Sequence, residues 1–473
     1  MRINTNVAAI ATTNRLINNQ DDLNIRLERL STGLRINRGA DDPAGLIASE
    51  VLRSQIRGIS QAVENSQRAM NVISVAEAAL NEVSSLILDL RSLIVHAANE
   101  GAISQSEIEA DQLQIDSILE AIDRIANTTT FAGRKLIDGS LSYTVSGLHT
   151  SAIARAMLFG ARVPDYGATH VTVSVIQSAQ TAQLVYAGSS IGYNVTLELQ
   201  GTLGTEIVAI TSGSSVEQIA ANINASTVVT GVSATVSGTG ANARLLLNSV
   251  EFGERAFVSV QPLEGNFIVA EGARIQDNGQ DAGVLINGQV AAFDALTGLL
   301  RANGLDMEIE LTVAGATTIA STDFYITGGG ATFQIGPDVN PGGQISIGIP
   351  SIGTAHLGDV QNGFLNTIRG AGRNSIVGGH CAEAERVVTK ALNQIAVLRG
   401  RLGSLQRNQI ETNMNSQRVA LENVMASESA IRDADIATEV ANLTRAQILV
   451  QSTSTVLGIA NQLPRNVLSL LQG

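Results

Sequence analysis

Hydrophobic positions recur at a helical period along both flanks of this 473-residue chain and at a period of two in its middle. The last stretch, ATEVANLTRAQILVQSTSTVLGIANQLPRNVLSLLQG, follows Ile436 and sets Leu443, Val450 and Leu457 one heptad apart. Leu471 is in phase beyond Pro464, while Ala446, Thr453, Ala460 and Val467 lie three positions on, which is the pattern of a coiled-coil seam. The first stretch sets Ile3, Val7, Ile10 and Ile17 on one face, then drifts to Leu16, Leu23, Leu27, Leu30 and Leu34. Between these stripes stand Thr, Asn, Gln and Ser, which are mediocre helix formers. Ordering a 36-residue tail costs about 1–2 kcal/mol per residue in backbone entropy, whereas a large apolar side chain returns about 1.5–3 kcal/mol, and only when buried. Each end is therefore marginal alone. The two are expected to pair with each other and with copies in neighbouring molecules.

Inside the ends, STGLRINRGADDPAGL stops one helix and starts another, with Asp42 as N-cap and Pro43 as first helical residue. A long helix is then predicted with Ile59, Ser66, Ile73, Leu80, Ile87 and Ile94 at one heptad position and Ala62, Ala69, Ala76, Val83, Leu90 and Ala97 at the other. A shorter helix follows through Ile108, Ile115, Ile118, Leu119, Ile122 and Ile125, and TTTFAGRKLIDGS reads as a hairpin turning at Gly133. Residues 382–432 return to helix, with Ala384, Ala391, Leu398 and Leu405 set against Val388, Ile395 and Leu402. No proline falls between Pro43 and Pro164 or between Pro350 and Pro464, so both flanks are free of the main helix breaker. In the middle, VTVSV, YNVTLELQ, VSATVS, RLLLN, AFVSV and MEIELTV read as strands. One helix interrupts them at SVEQIAANINA, where Ser214 and Glu217 are spaced as a capping box. The fold class is α+β: a long coiled-coil-like helical rod formed by both termini, with a β-rich inserted outer domain.

Composition narrows the function. The net charge is −13, and residues 151–350 hold 16 of the 43 acids against 6 of the 30 bases. No basic stripe is available to neutralise phosphates, which argues against nucleic acid as a partner. Cys381 is the only cysteine, so no internal disulfide forms, and beside His380 it reads as a small buried helix residue rather than a zinc ligand. No run of 18 apolar residues exists to span a membrane, and the start has only the short apolar run VAAIA, too brief for a signal peptide. His96, His149, His170, His356 and His380 are scattered, without an HExxH pair. GPDVNPGGQISIG lacks the lysine of a phosphate loop and reads as a strand turn. Glu308 and Glu310 read as a solvated strand face rather than an acid/base dyad. Nothing here points to catalysis, a metal or a cofactor.

The residues INTNVAAI and ERLSTGLRINRGADDPAGL near the start, with ESAIRDADIATEVANLTRAQIL and NQLPRNVLSLL near the end, resemble bacterial flagellin. FQIGPDVNPGGQISIGI looks like the strand pair that leads a flagellin chain back into its helices. ANINASTVVTGVSATVSG looks like the IN motif of hook and flagellin insertions. The resemblance implies a subunit that leaves the cell unfolded through the flagellar type III channel and self-assembles outside into a helical propeller. It places residues 1–43 with 433–473 as inner-tube helices. Residues 44–147 with 331–432 become a helical rod carrying a β-hairpin. Residues 148–330 form an outer β-rich insert, divisible into about 165–262 and 263–330. Inner-helix contacts fall on Ile3, Val7, Ile10, Ile17, Leu23, Leu27, Leu30, Ile436, Leu443, Val450, Leu457, Val467 and Leu471. The connecting spokes hold Arg35, Arg38, Asp41, Asp42, Glu428, Arg432, Asp433 and Asp435, expected to pair there. The rod seam comprises Ile59, Ile73, Leu80, Ile87, Ile94, Leu398 and Leu405. Implied partners are neighbouring copies, an export chaperone, the filament cap and hook-filament junction proteins. Many flagellins also present an Arg and a Glu to a host innate immune receptor. Those positions fall on Asp89 and Gln114, with Leu93 fitting the pattern, and the inverted charge argues against receptor activation. A hook-filament junction protein and a filament subunit whose insert is adhesive remain as alternatives.

Overall fold

The structure, a computed structural model, describes residues 5–99, 101–163, 167–186, 188, 191–238, 243–267, 275–302 and 304–471, with side chains described as far as Gln462. The chain divides into two compact units. One comprises Met1–Met70, Gln334–Gln344 and Leu405–Gly473, the other Asn71–Phe333 and Ile345–Ser404.

The first unit is helical. It contains α1 (Val7–Thr32), the first part of α2 (Pro43–Ala97), and the late helices α8 (Thr412–Arg432) and α9 (Ile436–Leu471), numbered after the helices of the second unit given below. Asp42 starts α2 as the sequence predicts, its Oδ1 accepting the Gly45 N–H at 2.9 Å. α1 ends in a left-handed Gly33, φ 74°, whose N–H donates to the Arg29 carbonyl. The helix expected over 382–432 is not one regular element: residues Gln406–Glu411 form a π-helix just before α8. Leu405, placed on the seam, stands at this change of winding and is only half-buried.

The second unit carries the rest of α2, then α3 (Gln105–Thr128), a two-stranded hairpin of β1 (Thr130–Phe131) and β2 (Arg134–Lys135), the β-rich middle, and α7 (Cys381–Leu405). The heptad positions Ile73, Leu80, Ile87 and Ile94, with their partners Ala76, Val83, Leu90 and Ala97, are all buried. So are Ile59 in the first unit and Leu398 in the second. α3 adds polar clamps that the heptads do not announce. The buried Gln112 donates to the Ile368 carbonyl at 2.9 Å and accepts the Ile376 N–H at 3.1 Å. Asp123 takes the Thr354 N–H at 2.8 Å and pairs with Arg369 at 2.6 Å.

In the β-rich middle the chain runs β3 (Tyr143–Ser146), β4 (Ile153–Ala161), β5 (Thr169–Gln177), β6 (Thr181–Tyr186), β7 (Val195–Gly201) and β8 (Thr205–Ile210). It continues with α4 (Val216–Ala225), α5 (Thr227–Thr230), β9 (Val232–Ser237), β10 (Arg244–Phe252), β11 (Phe257–Glu264) and β12 (Gln276–Asn278). Last come β13 (Gly283–Ile286), β14 (Gln289–Asp294), β15 (Thr297–Ala302), β16 (Leu305–Leu311), α6 (Val313–Thr317), β17 (Ser321–Gly329), and the paired β18 (Ala331–Gln334) and β19 (Gln344–Ile347). An antiparallel eight-stranded sheet runs β3-β17-β5-β13-β14-β15-β16-β4. Its edges approach each other, since the Tyr143 hydroxyl donates to the Ala161 carbonyl at 3.1 Å. The enclosed core includes Val171, Val173, Met307, Ile309, Phe324 and Ile326. Sheets β6-β10-β9 and β12-β11-β7-β8 form a second body whose core, including Leu197, Leu245, Val258 and Ile219 of α4, is separate. These pairings group the strands differently from a division at residue 262: the second body, 181–278, is nested between strands of the first.

Two local readings need correction. The cap of α4 is one residue later than Ser214 and Glu217: Ser215 accepts the Gln218 N–H, and the Gln218 side chain accepts the Ser215 N–H at 3.0 Å. Glu310 is not on a solvated face, because β4 and the loop before α7 cover it. It is buried, 3.6 Å from Arg155, and accepts the Val360 N–H at 3.2 Å. Burial pushes its pKa up, and Arg155 opposes that rise.

Candidate functional site: the paired termini

α1 and α9 run antiparallel in the first unit, and their contacts follow in order. Asn6 Nδ2 donates to the Ala460 carbonyl at 2.8 Å, and Asn19 Nδ2 to the Thr453 hydroxyl at 2.8 Å. Arg26 and Arg29 reach Glu439 at 3.2 and 3.3 Å. Glu439 is buried, the only acid in α9, and serves two guanidinium groups at once. Burial alone would lower the Arg26 pKa, but its bonds to Glu439 and Asp22 outweigh that and raise it. On α9 the half-buried Leu443, Val450 and Leu457 and the buried Ala446 and Ala460 lie on one side. The small alanines let α1 come close.

On α1 the covered side is Asn6, Ala9, Leu16, Asn19, Leu23, Arg26 and Leu30, all half-buried at helical spacing. The pairing thus uses the amide face, Asn6 and Asn19 included. Val7, Ile10, Ile17 and Leu27 remain 46–69% exposed, and α1 has no buried residue at all. On α9, Ile436 is likewise exposed, with Val440, Ile448, Leu449, Val456 and Ile459. Ile3 and the side chains of Val467 and Leu471 lie outside the described residues.

The segments joining these helices to the next ones touch. Leu34 and Asp433 form an antiparallel bridge, and the Ala434 N–H donates to the Gly33 carbonyl at 2.9 Å. Of the eight charges placed here, only Arg35 and Asp42 pair with each other, at 3.9 Å. Arg35 also donates to the Ile431 carbonyl at 3.2 Å. Arg38 turns to Glu28 at 2.9 Å, and Arg432 to Glu50 at 3.1 Å. Asp41 accepts the N–H groups of Arg38 and Asn37, which lowers its pKa. Asp435 accepts the Thr438 hydroxyl and the N–H groups of Thr438 and Ala437, with the same effect. Asp433 takes the Ser429 hydroxyl, and Glu428 forms no ion pair among the described residues. Asp435, a short carboxylate beside the start of α9, thus satisfies N–H groups of that helix's first turn rather than reaching a distant cation.

Residues 3–142 match the bacterial flagellin N-terminal helical region, residues 386–471 the flagellin C-terminal helical region, and residues 196–251 the flagellin hook IN motif. Flagellin of Salmonella typhimurium is 31% identical over 524 residues, covering 99% of this chain and 99% of that one. The chain belongs to the flagellin family. Flagellin B of Helicobacter pylori is 28% identical over 516 residues, covering 100% of this chain and 99% of its own. Flagellin of Bacillus subtilis is 26% identical over 475 residues, covering all of both chains. A solved flagellar hook associated protein-3 from Legionella pneumophila covers 81% of this chain and 98% of its own at 13% identity, with a TM-score of 0.31.

Within this member of the flagellin family, Asp89 and Gln114 are exposed and Leu93 is half-buried. Two features of the paired termini escaped the sequence reading. Glu439, as the lone acid of a helix opposite two arginines spaced by three, offered a signal. Asn6 did not: its partner is 454 positions away.

Proposed function

We propose that this chain is the repeating structural subunit of a bacterial flagellar filament. The observation that carries the reading is the bare apolar stripe of α1. A helix whose Val7, Ile10 and Ile17 stay exposed after pairing with α9 retains apolar surface for further copies to bury. Each such side chain is worth about 1.5–3 kcal/mol when covered. Flagellin relatives matched along their full length support the same reading.

In the assembly we propose, residues 1–43 and 433–473 form the inner layer, 44–147 with 331–432 the layer around it, and 148–330 projects outward. The spoke segments, with Arg35, Arg38, Asp41, Asp42, Glu428, Arg432, Asp433 and Asp435, join the first two layers. The chain reaches the cell exterior unfolded through the flagellar export channel, after handling by an export chaperone. It joins a filament bounded by the cap and the junction proteins. Its work is mechanical, with no catalysis and no cofactor. Asp89 inverts, and Gln114 removes, the charge that an immune receptor would read. The test is seeded growth watched by electron microscopy: the full chain should extend filament seeds into fibres of uniform diameter. A chain cut after Ile436 should not. Fibres from the cut chain would reject the proposal.

A further inference from the structure

Only two connections join the eight-stranded sheet to the nested second body, and they pair with each other. Gln180 and Gln280 exchange backbone hydrogen bonds, both 2.9 Å, where β5 passes to β6 and β12 to β13. Beside this waist lies a cleft of about 1000 Å³. Its wall comes from both bodies: Gln177, Gly283 and Thr317 on one side, Gln183, Phe252 and Asp277 on the other.

We propose that this cleft binds a neutral saccharide. Three observations converge. The lining is dense in side-chain amides, and those of Gln177, Gln180 and Gln280 have no partner among the described residues. An amide offers a donor and an acceptor, which is what a row of sugar hydroxyls requires. Phe252, half-buried in the wall, supplies an apolar face for the C–H side of a sugar ring.

The charges set the class. No Lys or Arg lines the cleft, while Glu254, Asp277 and Asp281 do. Two of these carboxylates are also part of the wall. Asp281 accepts the N–H groups of Glu254 and Ala295 at 3.0 and 2.8 Å, and Asp277 that of Gln183 at 2.8 Å. An anionic sugar or a phosphate would meet fixed negative charge without a counter-ion. A metal ion is the other ligand that carboxylates suggest, but among the described residues no three His, Cys, Asp or Glu side chains are grouped to hold one.

Binding is read by saturation-transfer NMR on the full-length monomer. The probes are cellotriose, maltotriose and tri-N-acetylchitotriose, with sialyllactose as the anionic comparison. At least one neutral trisaccharide should receive saturation and sialyllactose none. A chain with Gln177→Ala, Gln180→Ala and Gln280→Ala should bind that sugar about tenfold more weakly or worse, since several hydrogen bonds go at once. These side chains make no hydrogen bond among the described residues, so circular dichroism should be unchanged. If the triple variant melts early, the single exposed change Glu254→Ala replaces it, with weakened binding again expected. Saturation of none of the neutral sugars, equal saturation of sialyllactose, or undiminished binding by the folded variants would overturn the proposal.

Discussion

Phe324 on β17 is wholly enclosed by the eight-stranded sheet, whereas Val7 on α1 is 69% exposed although α1 has a partner helix along its length. The difference is one of dimension. A curled sheet closes round an interior with its own strands, so every second residue finds cover. Two helices laid side by side can cover only the strip between them, and whatever is apolar on the far side stays in water. The β-rich middle can therefore mature within one molecule, while the ends keep an apolar strip that their own pairing leaves uncovered.

The sharpest way to break this contrast is to charge the far side of α1. Val7→Asp with Ile10→Asp should abolish seeded fibre growth in electron microscopy, while thermal unfolding of the monomer stays within about 0.5 kcal/mol, as for exposed positions elsewhere. A monomer that melts early would mean the stripe is already covered within the chain. The converse change, Phe324→Ala, should cost about 3–5 kcal/mol in urea unfolding, the usual loss for a buried aromatic, yet leave fibre growth intact wherever the protein remains folded. Smaller is Glu439→Gln. It removes the charge shared by Arg26 and Arg29 and should weaken the pairing of α1 with α9 by about 1–2 kcal/mol, read as faster hydrogen exchange along α1.

The smallest effect separates the two regions by sign. Asp41 and Asp435 have pKa values lowered below their ordinary 3.8 by hydrogen bonds they accept. Their contribution is complete above that value and is lost as pH falls through their folded pKa. Glu310 is raised above its ordinary 4.5, chiefly by burial, with Arg155, Asp359 and Lys390 facing it. Its protonated form favours the fold below 4.5, and that contribution is lost as pH rises through the folded pKa. Protection from exchange, corrected for the base-catalysed intrinsic rate, should therefore fall in acid at 435–440, whereas stability carried by Glu310 should rise in acid. Replacement by Gln at position 310 should flatten the second trend in urea unfolding followed against pH, and an unchanged pH profile in that variant would refute the assignment.

Repeats were legible because they are local. Ile73, Leu80, Ile87 and Ile94 declare their burial by spacing alone, and the Asp42-Pro43 start and the Gly133 turn are each written in a few neighbouring residues. Strands were legible too, but not their order. β5 lies between β17 and β13, partners more than a hundred residues away, and no short pattern states that pairing. Glu310 was misread for the same reason: alternation along β16 says nothing about Arg155 or the loop that covers it. The face of α1 was half legible. Its apolar stripe was plain, but the preference of α9 for the amide side depended on Glu439, Thr453 and Ala460 being set opposite it.

α9 contains Pro464, which has no N–H, so the carbonyl four residues earlier lacks the donor every other turn supplies. That carbonyl belongs to Ala460, and the donor it receives is Asn6, a residue that also begins α1 by accepting the Ala9 N–H. A single amide thus serves as a check on completeness. A molecule clipped at its start keeps a tail with an unanswered oxygen, and one clipped at its tail keeps an amide with nothing to hold, so damage at either extremity is felt at the other.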